Sequence, residues 1–251
     1  MLRQSEMYST TKMGQEYTLD YKLYFNNETM EIISPWNDIP FKTGTDNTNE
    51  FRCVVEIPKD SIHKLEMSKH IKNNPITHDT NKDNSIRTFP FPIKWNYGFI
   101  PQTWEDPNIE IESLNDLSGD NDPVDVVILG DKVYSVGTVL DIKVIGAYAM
   151  IDNNEVDYKV IAIDSKQTNA FKINTDTDVR KYLDMNEINE IKEWFRAYKP
   201  DSNPPTYFGY DDSLLSIDDT IKILDDTHDY WIRLQKRNQM VHLMKKHTTP
   251  P

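Results

Sequence analysis

Three aspartates surround a proline in the segment SGDNDPVDVVILG, residues 118–130. Asp120, Asp122 and Asp125 directly precede an apolar run. Residues two apart in an extended chain point to the same side, so Asp120 and Asp122 are expected to face one spot. Carboxylates that converge repel one another unless cations lie between them, and hard cations such as Mg²⁺ prefer oxygen ligands. The segment therefore indicates either a divalent metal site or a solvated acidic turn.

Two further segments alternate acids with lysines on predicted strands. Asp157 and Lys159 lie two apart in DYKVIAI, after Asp152 at the end of AYAMI, and Lys64 and Glu66 lie two apart in HKLEM. The period-2 geometry of a strand places each acid–lysine pair on one face. Each pair is interpreted either as an ordinary surface ion pair, which is common and weak, or as a metal ligand beside a phosphate-binding cation.

Other polar side chains lie in or beside tight or proline-containing segments. They are Glu56 in VVEIP, Arg87 in IRTFPFP, Tyr97 in WNYGF and the Tyr198-Lys199 pair in AYKP. Arginine binds phosphate bidentately and tyrosine donates a hydrogen bond to an oxygen. Taken singly, a tyrosine is more often a core aromatic residue with a satisfied hydroxyl.

Several familiar catalytic and binding motifs are absent from the sequence. There is no P-loop, no H-E-x-x-H zinc motif and no G-x-S-x-G elbow. Val124 and Asp125 stand where an EF-hand loop that began at Asp120 would need Asp or Asn and then Gly. Cys53 alternates inward on its predicted strand, so a thiol nucleophile is not expected.

The composition limits the partners and the compartment. The chain has 251 residues and a net charge of −13, from 41 acids and 28 bases, which argues against nucleic acid as a partner. No apolar run approaches the roughly 20 residues of a membrane helix, and the N-terminus lacks a secretory signal. The single cysteine fits a reducing compartment, so the sequence predicts a cytoplasmic location and no membrane partner.

Short β-rich runs fill the chain from residue 51 to 163, and two helical patterns follow. Asp184 and Glu187 predict a capping box for the first helix, and the second is expected to open at Ser216. We predict a mainly β fold with flanking helices (α+β), in which a barrel core is packed by C-terminal helices. Residues 1–50 are expected to be an extension on or beside the core, residues 51–235 the core domain and residues 236–251 a tail.

The chain resembles the family I soluble inorganic pyrophosphatases of the eukaryotic type. Residues 120–126, DNDPVDV, satisfy every position of the family signature D-[SGDN]-D-[PE]-[LIVMF]-D-[LIVMGAC]. The blocks VVEIP, KLEM, NYGFIPQTWEDP, DYKVIAID and EWFRAYK also resemble family blocks and occur in the expected order. The resemblance extends from about residue 51 to residue 231.

This resemblance implies an OB-like five-stranded barrel, a homodimer, and Mg²⁺-dependent hydrolysis of pyrophosphate to two orthophosphates without a covalent intermediate. It implies several Mg²⁺ ions per active site, with metal ligands at Asp120, Asp125, Asp157, Asp152 and Glu66. It implies that Asp122 orients and deprotonates the attacking water, with Tyr97 and Glu56 as further catalytic residues. It implies phosphate binding by Lys64, Arg87, Lys159, Tyr198 and Lys199.

The chain departs from the family pattern in two places. The segment between Arg87 and Tyr97 is shorter, and residues 200–203 read PDSN where the family often has D-G-K. One phosphate-side lysine is therefore missing or supplied from elsewhere. Two other functions are kept as alternatives: a metal-dependent hydrolase of another small polyphosphate, and a non-catalytic metal-binding barrel.

Overall fold

The computed structural model describes residues 7–44, 49–199 and 204–248 as thirteen strands, three α-helices and short 3₁₀ turns. The strands are β1 (Ser9–Met13), β2 (Lys22–Asn26), β3 (Ile32–Ile33), β4 (Glu50–Ile57), β5 (Leu65–Met67), β6 (Ile76–His78), β7 (Asn96–Phe99), β8 (Glu110–Ile111), β9 (Leu117–Gly119), β10 (Asp125–Leu129), β11 (Val139–Asp152), β12 (Glu155–Asp164) and β13 (Tyr207–Phe208). The helices are α1 (Asp176–Tyr182), α2 (Met185–Ala197) and α3 (Ile217–Thr248).

Five of these strands close into a barrel. β4 pairs with β7 and β7 with β10, both antiparallel, and β10 then runs parallel to β12. The circuit closes because β11 pairs antiparallel with both β12 and β4. The predicted five-stranded barrel is confirmed. Strands covered on both faces read as continuous apolar runs, which explains why VVIL in β10 lacks polar alternation.

Apolar side chains pack on both faces of the barrel strands. On one face, Val127 and Ile161 join a core cluster that includes Ile188 and Ile191 of α2. On the other face, Val126 and Val160 join a cluster that reaches Leu224 of α3. The two helices therefore fix the barrel from different sides.

The helices begin with polar caps, although one cap differs from its prediction. The Asp184 side chain accepts a hydrogen bond from the Asn186 amide, as expected for the N-cap of α2. The predicted capping box is wrong there, because Glu187 accepts a hydrogen bond from the indole of Trp95, 3.1 Å away. A tertiary donor has thus replaced the local one.

Two further helical features differ from the sequence pattern. A short helix, α1, was not predicted; its seven residues bury only Val179, which gives too little periodicity to detect. α3 follows Ser216, whose hydroxyl accepts from the Asp219 amide as a helix cap, so the predicted start is confirmed. α3 continues to Thr248, so residues 236–248 lie in this helix. Among the helices of the described ranges, none is long and apolar enough to cross a membrane.

The N-terminal residues form a second sheet beside the barrel. Its strand order is β1-β2-β6-β5, with β3 on β2, so it joins residues 9–33 to residues 65–78. Leu23 and Phe25 of β2 are buried in the same core cluster as Val54 of the barrel. The predicted domain boundaries remain a prediction, and residues 45–48 lie outside the described part.

Candidate active site

The aspartate-rich loop is held against the preceding segment of chain by backbone hydrogen bonds. The Glu105 amide donates to the carbonyl of Asp122, and the Asn121 amide donates to the carbonyl of Glu105, each at 2.9 Å. Gly119 makes this approach possible, because a Cβ there would lie 2.5 Å from the Glu105 carbonyl carbon. The loop therefore delivers its carboxylates beside Glu105, at the start of β10.

Three acids form what we call the carboxylate cluster: Glu105, Asp120 and Asp157. Each offers one oxygen, and these oxygens lie within 4.8 Å of one another. Glu105 is 3% exposed; its Oε1 accepts from the Tyr158 amide, whereas its buried Oε2 finds no hydrogen-bond partner among the described residues. Burial and mutual repulsion raise the pKa of Glu105 and of Asp120 well above the usual range.

A buried lysine partly compensates this charge. Lys159 Nζ lies 2.5 Å from Asp125 Oδ2 and 2.5 Å from Asp157 Oδ1, which confirms the predicted shared face of Asp157 and Lys159. Burial and Asp125 raise the pKa of Asp157 to about 7, although Lys159 acts in the opposite direction. Burial disfavours the charged form of Lys159, yet the two carboxylates raise its pKa well above the usual value.

Tyr97 and Glu56 line the same region from neighbouring strands. The Tyr97 hydroxyl donates to Asp125 and accepts from Lys159 Nζ at 3.0 Å, and burial raises its pKa. Glu56 is buried and accepts from the Met67 amide at 2.6 Å, and burial raises its pKa well above the usual range.

A cavity of about 200 Å³ opens beside these residues. It is lined by Glu56, Glu66, Met67, Ser68, Lys69, His70, Phe99, Asp120, Asp122, Pro123 and Asp125. The Asp122 side chain is 48% exposed, and its Oδ1 lies 2.5 Å from Lys69 Nζ. Asp122 is thus the aspartate of the loop that is open to water and to a ligand.

A second group of charges lies on short segments outside the barrel. Lys64 Nζ contacts Glu66 at 3.0 Å, so their predicted shared face is confirmed. Lys64 Nζ also contacts Asp79 Oδ2 at 2.9 Å, and Arg87 Nη1 contacts the same oxygen at 3.0 Å. Burial opposes the charge of Lys64, but Glu66 and Asp79 raise its pKa.

The end of α2 supplies the remaining predicted residues. Lys199 Nζ contacts the Asp152 carboxylate at the end of β11. The ring of Tyr198 stacks on Trp194, with centroids 5.4 Å apart and an interplanar angle of 8°. Tyr198 therefore has an aromatic packing role, and residues 200–203, where the unmatched PDSN lies, are outside the described residues.

Acids predicted as metal ligands contact cations predicted to bind phosphate. The pairs are Glu66 with Lys64, Asp125 and Asp157 with Lys159, and Asp152 with Lys199. Of the five predicted ligands, Asp120 and Asp157 share the carboxylate cluster, and Glu105 is its third member. Asp125, Asp152 and Glu66 lie outside the cluster as described.

Sequence reasoning did not single out three charged residues that the fold brings to this region. They are Lys69, Asp79 and Glu105. Glu105 lies inside the matched block NYGFIPQTWEDP, where an acid directly after a tryptophan is a usable signal. Asp79 and Lys69 carry no such signal, because their partners lie on other segments.

Comparison with known proteins gives consistent matches across the chain. A model of the family described as inorganic pyrophosphatase matches residues 53–232. The chain is 39% identical over 226 residues to soluble inorganic pyrophosphatase 6, chloroplastic, of Arabidopsis thaliana, covering 90% of this chain and 74% of that protein.

Two solved structures show the same architecture. The type I inorganic pyrophosphatase of Toxoplasma gondii matches with a TM-score of 0.84 at 37% identity, covering 90% of this chain and 99% of that one. An N-terminally truncated vacuolar soluble pyrophosphatase of Trypanosoma cruzi, in complex with PPi, matches with a TM-score of 0.82 at 31% identity, covering 91% of each chain. The chain belongs to the inorganic pyrophosphatase family of enzymes, and its structural neighbours include type I members.

Proposed function

We propose that this chain hydrolyses inorganic pyrophosphate to two orthophosphates with Mg²⁺ as cofactor. The observation that carries the proposal is the carboxylate cluster, whose three acids converge on one spot with one buried oxygen left without a partner among the described residues. An all-oxygen donor set with raised carboxyl pKa values fits a hard divalent cation. The family match and the relative solved with PPi support the substrate.

In this proposal Asp120, Asp125 and Asp157 would hold Mg²⁺, and Asp152 and Glu66 would hold additional Mg²⁺ ions. When bound, Mg²⁺ supplies the positive charge that screens phosphate oxygens and makes water more acidic. The buried carboxylate of Glu105 lies beside Asp120 and Asp157 and would contribute to the same metal site. The family resemblance provides these roles, and the convergence of Asp120, Asp157 and Glu105 supports the first of them.

Asp122 takes the proton of the attacking water. Its carboxylate lines the cavity outside the carboxylate cluster, and although its Oδ1 contacts Lys69, the side chain is 48% exposed, so a water molecule can reach it. The water oxygen bonds one phosphorus, the bridging P–O bond breaks, and the proton passes to the Asp122 carboxylate. Tyr97 and Lys159 orient Asp125 through their contacts with its Oδ2. Glu56 closes the cavity wall.

The phosphates are bound by Lys64, Arg87, Lys159, Tyr198 and Lys199. The lysines of this set contact carboxylates in the present structure, so substrate binding exchanges one anionic partner for another. Such catalysis depends on positioning and charge stabilisation, and needs no covalent intermediate.

Release of orthophosphate from pyrophosphate, titrated with Mg²⁺, tests the function. We expect rapid Mg²⁺-dependent release from pyrophosphate, little release from ATP under the same conditions, and inhibition by Ca²⁺. Preferential release from ATP would instead favour the alternative hydrolase of another polyphosphate. Mg²⁺ binding by calorimetry, with no turnover of either substrate, would favour the non-catalytic barrel.

The homodimer and the cytoplasmic location also belong to this proposal. The first follows from the family resemblance, and the second from the single cysteine, which fits a reducing compartment. The Arabidopsis thaliana relative is named as chloroplastic and the Trypanosoma cruzi neighbour as vacuolar, so similar proteins carry different location names. Light scattering coupled to size exclusion tests the dimer, and imaging of a C-terminal fluorescent fusion in the source cell tests the location.

A further inference from the structure

The Asp79 carboxylate lies between two cations that come from different segments. Its Oδ2 is 2.9 Å from Lys64 Nζ and 3.0 Å from Arg87 Nη1. Its Oδ1 accepts from the Thr80 amide at 2.6 Å. The side chain is only 14% exposed, so both carboxylate oxygens are committed to fixed partners.

The backbone holds the same three residues together. The Asp79 amide donates to the Lys64 carbonyl at 3.0 Å, and the Arg87 amide donates to the Asp79 carbonyl at 2.9 Å. The Lys64 amide in turn donates to the Arg87 carbonyl at 3.3 Å. Asp79 directly follows β6 and Lys64 directly precedes β5, so sheet pairing fixes their Cα positions. The position of the carboxylate is therefore set by the fold and not by its surface surroundings.

Two long cationic side chains that bind one phosphate group must be held close together, although their charges repel. Lysine and arginine also lose side-chain entropy when they are fixed. A carboxylate oxygen shared by the two cations reduces their mutual repulsion and fixes both side chains before substrate binds, so less entropy is lost on binding. Without it, Lys64 would retain Glu66, which is more exposed, as its anionic contact.

We propose that Asp79 is a positioning residue that holds the Lys64 and Arg87 side chains together so that both bind the same phosphate group of pyrophosphate. Asp79 does not touch substrate; it acts through the two cations. This inference rests on the proposed function, because it assigns Lys64 and Arg87 to phosphate binding. Hydrolysis of pyrophosphate by the wild-type protein tests that function. The ratio of kcat/KM between an Asp79 variant and the wild type tests the role of Asp79.

The first comparison is Asp79→Asn against Asp83→Asn. Asp83 is an exposed acid of the same connection, and its carboxylate accepts hydrogen bonds from Ser85. Asp79→Asn removes the negative charge and leaves one acceptor oxygen where two are used, by the Thr80 amide and by the two cations. We therefore expect kcat/KM for pyrophosphate to fall by about 10- to 100-fold. Asp83→Asn should match the wild type. Asp79→Glu keeps the charge and should recover part of the loss; it also serves as the second variant if Asp79→Asn folds poorly.

A double-mutant cycle separates positioning from general damage. If Asp79 acts through Arg87, then Asp79→Asn should cause little further loss of kcat/KM in a protein that already carries Arg87→Gln. The same cycle is run with Lys64→Met, and losses that multiply with both Arg87→Gln and Lys64→Met would overturn the inference. Tighter substrate binding by Asp79→Asn with unchanged kcat would also overturn it, because Asp79 would then only neutralise the cations.

Binding of imidodiphosphate, measured by calorimetry with Mg²⁺ present, gives a readout that needs no turnover. We expect Asp79→Asn to weaken this binding about tenfold or more and Asp83→Asn to leave it unchanged. Equal affinity in wild type and Asp79→Asn would overturn the positioning role, even if the wild-type protein proved inactive.

Discussion

The carboxylate cluster and the Lys64–Asp79–Arg87 group are both networks of charged side chains, but they are balanced differently. The cluster lies on the closed barrel and its adjoining loop, and buried Lys159 contacts Asp157, one of its three acids. The second group lies on short segments outside the barrel, where each cation already has an anionic partner. The first region therefore requires an added cation, whereas the cations of the second keep their contact with Asp79 and offer their remaining N–H donors to phosphate. Substitutions in the two regions should consequently give different kinetic effects.

The largest effect is expected at Asp122. Asp122→Asn should lower kcat by about 10²- to 10⁴-fold, because it removes the proposed proton acceptor. The fold should persist, since the side chain is 48% exposed and the hydrogen bond from Glu105 uses the backbone carbonyl. Stopped-flow phosphate release measures the loss, and the exposed Asp131→Asn is the control. Near-normal turnover would remove Asp122 from the reaction.

A smaller effect, confined to the metal requirement, is expected within the carboxylate cluster. Asp120→Asn or Asp157→Asn should raise the Mg²⁺ concentration for half-maximal activity by roughly 10- to 100-fold, because a charged ligand is lost. Glu105→Gln should shift the same curve in the same direction. Magnesium activation curves at saturating pyrophosphate measure the shift. An unmoved curve would show that these acids are not ligands.

The second region should show the opposite pattern. Arg87→Lys should raise KM for pyrophosphate about tenfold and leave the Mg²⁺ curve in place, since lysine cannot keep a contact to Asp79 and bind phosphate bidentately. Lys72→Met, at an exposed position of the same part of the chain, is the control. A shift of the Mg²⁺ curve by Arg87→Lys would contradict the separation of the two regions.

The smallest effect concerns stability without metal. The folded-state pKa of Asp157 is about 7, against roughly 4 in the unfolded chain, so the folded protein binds more protons between these values. The contribution of this group to stability is therefore fully present below about pH 4 and is lost as the pH rises through about 7. Thermal unfolding in EDTA should shift a few degrees downward between pH 5 and 8.

Asp157→Asn should reduce this pH dependence, and Mg²⁺ should raise the unfolding temperature more at pH 8 than at pH 5. If the metal-free protein became more stable between pH 5 and pH 8, the carboxylate cluster would not carry uncompensated negative charge.

The acid–lysine pairs could be predicted from the sequence because their geometry depends only on residues that are close in the chain. Asp157 with Lys159, and Lys64 with Glu66, share a face through strand periodicity alone, and both contacts are present. The barrel was likewise predictable from short β-rich runs. The capping box at Glu187 failed because a side chain far along the chain, Trp95, competes for the carboxylate. Local patterns cannot include such partners.

The sequence by itself determined the family, the barrel, and the residue types available for metal and phosphate chemistry. The tertiary structure alone decided that Glu105 joins Asp120 and Asp157, because a glycine-dependent close approach of two loops brings them together. It also decided that Asp79 links Lys64 to Arg87. Strand and helix periods act over a few residues, whereas these contacts depend on backbone pairing between segments that are distant in the chain.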